Sequence, residues 1–523
     1  MPAFSQYAHQ YPALALERDE QGILQATLRS GTEPFRATRE SRRQLANAWL
    51  AIANDPDNRV LILTGTGEDF SRGIDPASDT APLAPAGMLE EAAEAERLLT
   101  NFLEIGIPVI AAVNGPARAH AELALLGHIV LLSDTALFQE PALRRGLPPT
   151  DDGHIVWMEV LGFVRGKHFL LTGEELPARE ALRLGAANEV VPAAALLDRA
   201  YEHARALAKW PAITLRNTHE VLTQWMRRRL HEDLGYGLAL RSLAWLDHQS
   251  PQLTGAGMNA NGISRLTSYA AKYSWLHLER DADGILLVRV HTNGGPLSWG
   301  GDSFAAHEPF ADIAADSDNK MIIITGTGEA FCNQPTLTDI LPYFTELTPA
   351  AMDVFFRNGP RSLDKQFQLP VPVILAVNGP ATVHEEFFMS ADLVIAAEEA
   401  TFQDGNHVAS GFSVAGTPSF WEEYLRPVRA KYFLLTGQTL SARQALEVGV
   451  AGEVVLRSQL LDRAYAHARA LAKLPPAALG ATRKALNQRL KRYTLDEVRM
   501  TGALFSISNL DMGGPLAEHT HPV

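Results

Sequence analysis

Cysteine is almost missing from this chain: Cys332 is the single one among 523 residues. That excludes an intrachain disulfide and any metal site built from several cysteines, and it fits a reducing compartment, so a cytoplasmic location is expected. Basic excess is missing too. Lys and Arg total 46 against 60 Asp and Glu, a formal net charge of -14. Phosphate binding needs clustered cations, so no nucleic acid and no anionic membrane is expected as a partner. The run Arg227, Arg228, Arg229 reads as a solvated helix face. No window reaches the roughly 18 apolar residues that a bilayer crossing needs. The opening MPAFSQYAHQYPAL has no basic region followed by an apolar stretch, and the expectation is a soluble, unexported protein. Low-complexity tracts are absent, the composition is that of an ordinary soluble protein, and the length exceeds what one hydrophobic core organises.

Repetition is what the chain does have. The run KHFLLTGEELPAREALRLGAANEVV from Lys167 returns at Lys431 as KYFLLTGQTLSARQALEVGVAGEVV, an offset of 264. YPALALERDEQGILQATLRSG from Tyr11 returns as YSWLHLERDADGILLVRVHTNG from Tyr273. Between them LTGAGMNANGISRLTSYAAK is rich in Gly, Asn and Ser with no sustained apolar period, which reads as a linker. The expected organisation is a domain over 1–258, a linker over 259–272 and a second domain over 273–523. In each half, short β-rich runs such as RVLILTG, IPVIAAVNG and GHIVLLS alternate with helical stretches, and the last third is helical, so the fold class is α/β.

Four motifs in the same order in both halves carry a family likeness. TGTGEDFSRGID from Thr64, PVIAAVNGPARAHAEL from Pro108, FQEPALRRGLPP from Phe138 and FLLTGEELPAREALRLGAANEVV from Phe169 resemble the crotonase superfamily, also called the enoyl-CoA hydratase/isomerase family. The resemblance implies two tandem crotonase-fold domains, each a spiral of ββα units followed by a helical trimerisation region, and a trimer-based homo-oligomer. It also implies an oxyanion hole of two backbone N–H groups, each such donor worth roughly 10²–10³ in rate. Where a CoA-binding member has VNGxxxGGG, this chain has VNGPARAHAE and VNGPATVHEE, so His120 and His384 stand at the middle glycine. An imidazole cannot leave the backbone as open as glycine does, but it can itself donate to a carbonyl. That departure resembles the CoA-independent β-diketone hydrolases of the superfamily, the 6-oxocamphor hydrolase group. These split the carbon–carbon bond between two ketones by a retro-Claisen reaction with no cofactor or metal, and a small diketone is then the expected substrate.

That reaction needs a base for water and donors for two carbonyls, and histidine suits both duties near neutral pH. By the resemblance, His384 polarises the attacked carbonyl, His407 in FQDGNH is the general base and the Trp299 indole reaches the second carbonyl. His307 lies nearby in sequence, although Ser303 takes the register of another family histidine. The orienting Asp expected nine residues past His407 is replaced by Gly416, leaving Asp404, Glu385 or Glu386 as substitutes, and Phe505 stands where the family carries a Glu. The oxyanion position of this half is Pro335, which has no N–H. The first half inverts the pattern: Ile74 keeps its N–H, His120 is retained and Asp151 takes the orienting position, but Ala142 stands in place of His407, with Glu140 and Glu122 as bases out of register. The first half therefore reads as a structural or weakly active partner and the second as the active one, with a site shared between halves as a third possibility.

Plainer roles compete with each assignment. Either histidine after a strand can be a satisfied core residue, Trp299 a core aromatic, His307 a surface residue and Cys332 a small buried side chain. The TGTGE turns look like phosphate loops but lack a following GK[ST]. An acyl-CoA hydratase or isomerase working through Ile74, or a degenerate scaffold without activity, is the alternative function.

Overall fold

The apolar runs become buried parallel strands. Val60–Gly65 and Val109–Val113 are almost wholly buried, as strands covered on both faces must be. The sheet of the first repeat runs in the order Leu14–Arg18, Ile23–Ser30, Val60–Gly65, Val109–Val113, Ile129–Ser133, Glu189–Val191. Along this order the first pair is antiparallel, with Leu14 opposite Leu28, and Ile23 opposite Val60 begins the parallel series; off it, the short strand Glu33–Pro34 pairs antiparallel with the end of Ile23–Ser30. The second repeat has the same order from Leu276–Arg280 to Glu453–Val455, opening with Leu276 opposite Val290. Tight turns at Asp19 and Asp281 join the antiparallel pairs. Each aspartate accepts the N–H groups two and four residues on, and Gly22 (φ 78°) and Gly284 (φ 82°) take the left-handed position that the turn requires.

The computed structural model describes residues 4–75, 85–149, 153–249, 265–298, 309–333, 366–367, 369–383, 390–405 and 417–492. They divide into two units. Unit 1 comprises Met1–Leu161 and Phe169–Ser250; unit 2 comprises Gly162–His168 and Pro251–Val523. The expected linker at 259–272 includes a helix, Arg265–Ala270, whose Tyr269 is buried. Its hydroxyl donates to Asp316 (3.0 Å), which also takes the Arg280 guanidinium (2.7 Å). In unit 1 the same Tyr–Asp–Arg network joins Tyr7, Asp55 and Arg18. Sequence reasoning missed it, although the recurring DPDN and DSDN ahead of a strand were its visible trace.

In unit 1 the helix Leu196–Ala208 lays Leu196, Ala200 and Ala204 on Ile23, Val60, Ile62, Ile110 and Leu131. This spacing of four is one helix face against the sheet, and it explains why LLDRAYEHARALA is so well kept in both copies. Beside it the halves differ in chemistry. In unit 2 the buried Arg483 guanidinium pairs with Asp392, whose Oδ2 accepts the Val373 N–H (2.8 Å). In unit 1 the equivalent His128 accepts the Val109 N–H at Nδ1 (3.1 Å) and stacks near His219, ring centroids 5.0 Å apart.

Candidate active site

Both glycine-rich turns are clamped by the asparagine of VNG. Asn114 Oδ1 accepts the Gly65 N–H (3.0 Å) while its Nδ2 donates to Gly67 O (2.8 Å); Asn378 does the same for Gly326 and Gly328. A Cβ on Gly115 or Gly379 would lie 1.8 or 1.9 Å from the carbonyl of Glu68 or Glu329, so only glycine lets the two segments meet. The TGTGE turn is thus held by protein groups, and it delivers the following residues to the site.

In unit 1 these are Ser71 and the strand Gly73–Ile74, which pairs with Arg36–Ala37. Asp75 N–H donates to Ala37 O (2.9 Å), so by strand alternation the Ile74 N–H faces the opposite edge. On that side Ser71 locks the segment after VNG. Its hydroxyl donates to Ala119 O (2.5 Å), accepts the Ala119 N–H (3.0 Å), and its carbonyl accepts the Arg118 N–H (3.0 Å). The next residue is His120. It stands at the entry of the helix Ala121–Leu125 with φ 51° and ψ 36°, a left-handed conformation that suits the glycine of the family pattern. Its side chain is largely buried, and Nδ1 lies 2.7 Å from Oε1 of buried Glu122. Glu122, the out-of-register base candidate, thus engages the imidazole and orients it. Glu140 is tied to the local backbone, its Oε1 accepting the Ala142 N–H (3.0 Å). Asp151 lies outside the described residues.

Unit 2 repeats this frame. Cys332 takes the place of Ser71: it is buried and its thiol donates to Val383 O (2.8 Å), the residue before His384. Cys332 is thus a latch as well as a filler. The strand Leu297–Ser298, which leads to Trp299, pairs with Cys332–Asn333. Ala381 bridges both Cys332 and Phe402, so the segments leading to His384 and His407 run side by side. A Cβ on Gly405 would meet Thr382 O at 2.0 Å, which makes that glycine a requirement of the approach. Asp404, beside it, is buried. His384, His407, Trp299 and His307 themselves, with Ser303, Pro335, Glu385, Glu386, Gly416 and Phe505, lie outside the described residues. The bridges Ala117–Phe138 and Ala381–Phe402 keep the offset of 264, so by sequence register Leu143, and not the expected Ala142, is the counterpart of His407. Neither residue can act as a base.

One group could hold a metal ion among the described residues: His168, Glu453 and His467, with ligand atoms within 4.8 Å of one another. Burial alone would raise the Glu453 carboxyl, but hydrogen bonds from His168, His467 and Arg463 outweigh it and hold the acid far below its usual range. Arg463 binds both carboxylate oxygens, at 2.6 and 3.0 Å, so a cation would have to displace a guanidinium. No helix among the described residues is long and apolar enough to cross a membrane.

Comparison with known proteins agrees with the repeated frame. The enoyl-CoA hydratase/isomerase family profile matches twice, over residues 18–242 and 305–508. The carnitinyl-CoA dehydratase of Salmonella arizonae is 34% identical over 176 residues, 32% of this chain and 63% of that protein. The carnitinyl-CoA dehydratase of Escherichia coli O157:H7 is 31% identical over 204 residues, 37% of this chain and 74% of that protein. Among solved structures, a β-diketone hydrolase from the cyanobacterium Anabaena sp., bound to (S)-3-oxocyclohexyl acetic acid, is 39% identical with a TM-score of 0.46, covering 48% of this chain and 99% of that one. The clamped turns, the latched segment after VNG and the double match make this chain a member of the enoyl-CoA hydratase/isomerase family, two tandem crotonase folds in one polypeptide.

Proposed function

We propose that the protein hydrolyses the carbon–carbon bond between the two carbonyls of a cyclic β-diketone, without CoA and with its main site in the second repeat. The observation that carries this reading is His120, a left-handed histidine whose ring is fixed by Glu122. Holding a non-glycine residue in this conformation costs on the order of 1–3 kcal/mol, and the sequence His-x-Glu occurs in both repeats, as His120 with Glu122 and as His384 with Glu386. An imidazole that polarises a ketone gives that cost a purpose, whereas a thioester site is better served by bare backbone.

In this reading His407 takes a proton from water as its oxygen bonds to one carbonyl carbon, and His384 donates to the carbonyl oxygen that gains charge. The carbon–carbon bond then breaks, its electron pair passing to an enolate held by the Trp299 N–H. Return of the proton to the enolate carbon completes a keto acid, with one water consumed and no redox change. The first repeat keeps the polarising histidine and lacks the base. Loss of absorbance of cyclic 1,3-diketones, with appearance of the keto acid, tests the activity. His407→Ala is expected to lower kcat by about 10²–10⁴, and His384→Ala to lower it comparably. Intact diketones with wild-type protein, or unchanged turnover in His407→Ala, would overturn the proposal.

A second reading, an acyl-CoA enzyme using the first repeat, draws on the Ile74 N–H turned away from Ala37 and on the relatives named carnitinyl-CoA dehydratase. It predicts heat on titration with crotonyl-CoA, which the diketone hydrolase would not give.

A further inference from the structure

Two imidazoles from separate segments of unit 2 converge on one carboxylate oxygen. His168, at the end of the segment Gly162–His168, brings Nε2 to 3.0 Å from Glu453 Oε1. His467, on the helix Leu460–Leu471, brings its own Nε2 to 2.6 Å from the same oxygen. The rings stand nearly perpendicular, at 76° with centroids 5.8 Å apart, so they point at a common spot instead of stacking. The three ligand atoms lie within 4.8 Å of one another. A tetrahedral zinc ion, with bonds of about 2.0–2.2 Å, sets its ligand atoms roughly 3.3 Å apart. The oxygen and each nitrogen therefore stand close to ligand spacing already.

The first repeat supplies a comparison, because it keeps the carboxylate with one imidazole. Glu189 takes His203 Nε2 at 2.9 Å and two nitrogens of Arg199 at 2.7 and 2.8 Å, so the Glu–Arg–His trio is a shared structural ion pair. What unit 2 adds is His168, whose equivalent by the offset of 264 is Tyr432. Unit 2 also makes room for that ring. A Cβ on Gly452 would lie only 3.1 Å from His168 Cδ2, whereas the equivalent residue of the first repeat is Asn188, whose side chain accepts the Val130 N–H (2.7 Å). The third ligand and the small residue that admits it occur together, in one repeat and not the other.

Arg463 is the competitor for the carboxylate. Its Nε donates to Oε2 (2.6 Å) and its Nη2 to Oε1 (3.0 Å). A cation on Oε1 displaces Nη2, while Nε can keep Oε2 and orient the carboxylate as outer-shell partners of a metal do. The His168 and Glu453 side chains are 16% and 17% exposed, which leaves water access for a fourth position. Two imidazoles with one carboxylate suit zinc and its neighbours, whereas calcium and magnesium take oxygen ligands.

We infer that His168, Glu453 and His467 form a binding site for a divalent transition-metal cation of the zinc type, with Arg463 supporting the carboxylate. The bound ion ties Gly162–His168 to the strand Glu453–Val455 and the helix Leu460–Leu471, all within unit 2. Its role is structural, since binding energy at such a site adds to folding energy. The site is independent of the proposed diketone chemistry.

Calorimetric titration of the full chain with zinc chloride, after EDTA treatment and desalting, tests it. Wild-type protein should bind one ion per chain, and zinc should raise the thermal midpoint in a way that EDTA reverses. His168→Tyr and His467→Gln should each weaken binding by at least the roughly 10–100-fold that loss of even an outer-shell partner costs. Removing the competitor in Arg463→Ala should tighten it, and His203→Gln at the first-repeat counterpart should leave it unchanged. Circular dichroism like that of the wild type is the condition for reading each variant. No heat with zinc, equal affinity in His168→Tyr and wild type, as scattered surface histidines would give, or weaker binding in Arg463→Ala would each overturn the proposal.

Discussion

Two side chains of almost equal size do the same work at equivalent places. Ser71 and Cys332 both reach across to the carbonyl that precedes, by one residue, a candidate catalytic histidine. Such a buried contact is worth about 1 kcal/mol, and leaving its acceptor unpaired costs more than the contact itself contributes. Cys332→Ser should therefore be near neutral in a urea melt, since the other repeat already uses serine, whereas Cys332→Ala should lose about 1–2 kcal/mol and lower diketone turnover by loosening the segment that carries His384. Equal melts for the serine and alanine variants would show that the thiol only fills space. The role was not legible in the sequence, because a lone cysteine says nothing of what its sulfur touches. The histidines at 120 and 384 were legible, because a family glycine replaced by a bulky residue in both copies is visible without coordinates. The tie of His120 to a glutamate two residues on was not, since spacing alone does not say that the chain turns the two side chains together.

At the scale of elements, local chemistry fixes where helices begin. Thr38 caps Arg39–Ala53 by accepting the Ser41 N–H (3.0 Å), and the Ser41 hydroxyl accepts the Thr38 N–H (2.8 Å). Ser441 and Gln444 make the same reciprocal box at the start of Ala442–Val448, as S-x-x-Q in the sequence foretells. Pro177 holds the corresponding place in unit 1 without a side-chain cap. Thr38→Ala is expected to cost about 1 kcal/mol, read as a lower denaturation midpoint, with Thr38→Ser close to wild type. The strands were similarly readable, because continuous apolar runs ended by glycine describe parallel strands buried on both faces. The helix inside the expected linker was not, since Tyr269 earns its place only through Asp316 and Arg280, which are distant in sequence.

For the whole molecule, the duplicated scaffold has let buried polar chemistry diverge, with consequences for pH. Burial, and then His219, push His128 down to about 4, and burial also lowers His219. These histidines are neutral in the folded protein at pH values where the unfolded chain protonates them. The unfolded state then binds more protons, so stability rises with pH between about 4 and 6.5 and falls on acidification across that window. The urea midpoint should accordingly drop from pH 7 to pH 5, and His128→Asn, which keeps an acceptor for the Val109 N–H, should flatten the dependence. An unchanged slope in that variant would assign the acid sensitivity elsewhere. Glu189 acts in a lower window: hydrogen bonds from Arg199 foremost hold it at about 2, so its contribution is present above the ordinary carboxylate range and is lost as pH falls toward 2.

The sequence by itself determined the duplication, the α/β class, the crotonase likeness and the histidines that replace glycine, because these depend on period, turn chemistry and residue identity along the chain. Only the tertiary structure decided that Glu122 serves His120, that Cys332 and Gly405 bring together the segments leading to His384 and His407, and that Arg483 with Asp392 in one repeat stands where His219 with His128 stands in the other. Those facts concern groups that are paired or left unpaired across long stretches of chain. Two nearly identical sequences can share every local signal and still differ in what folding places against them.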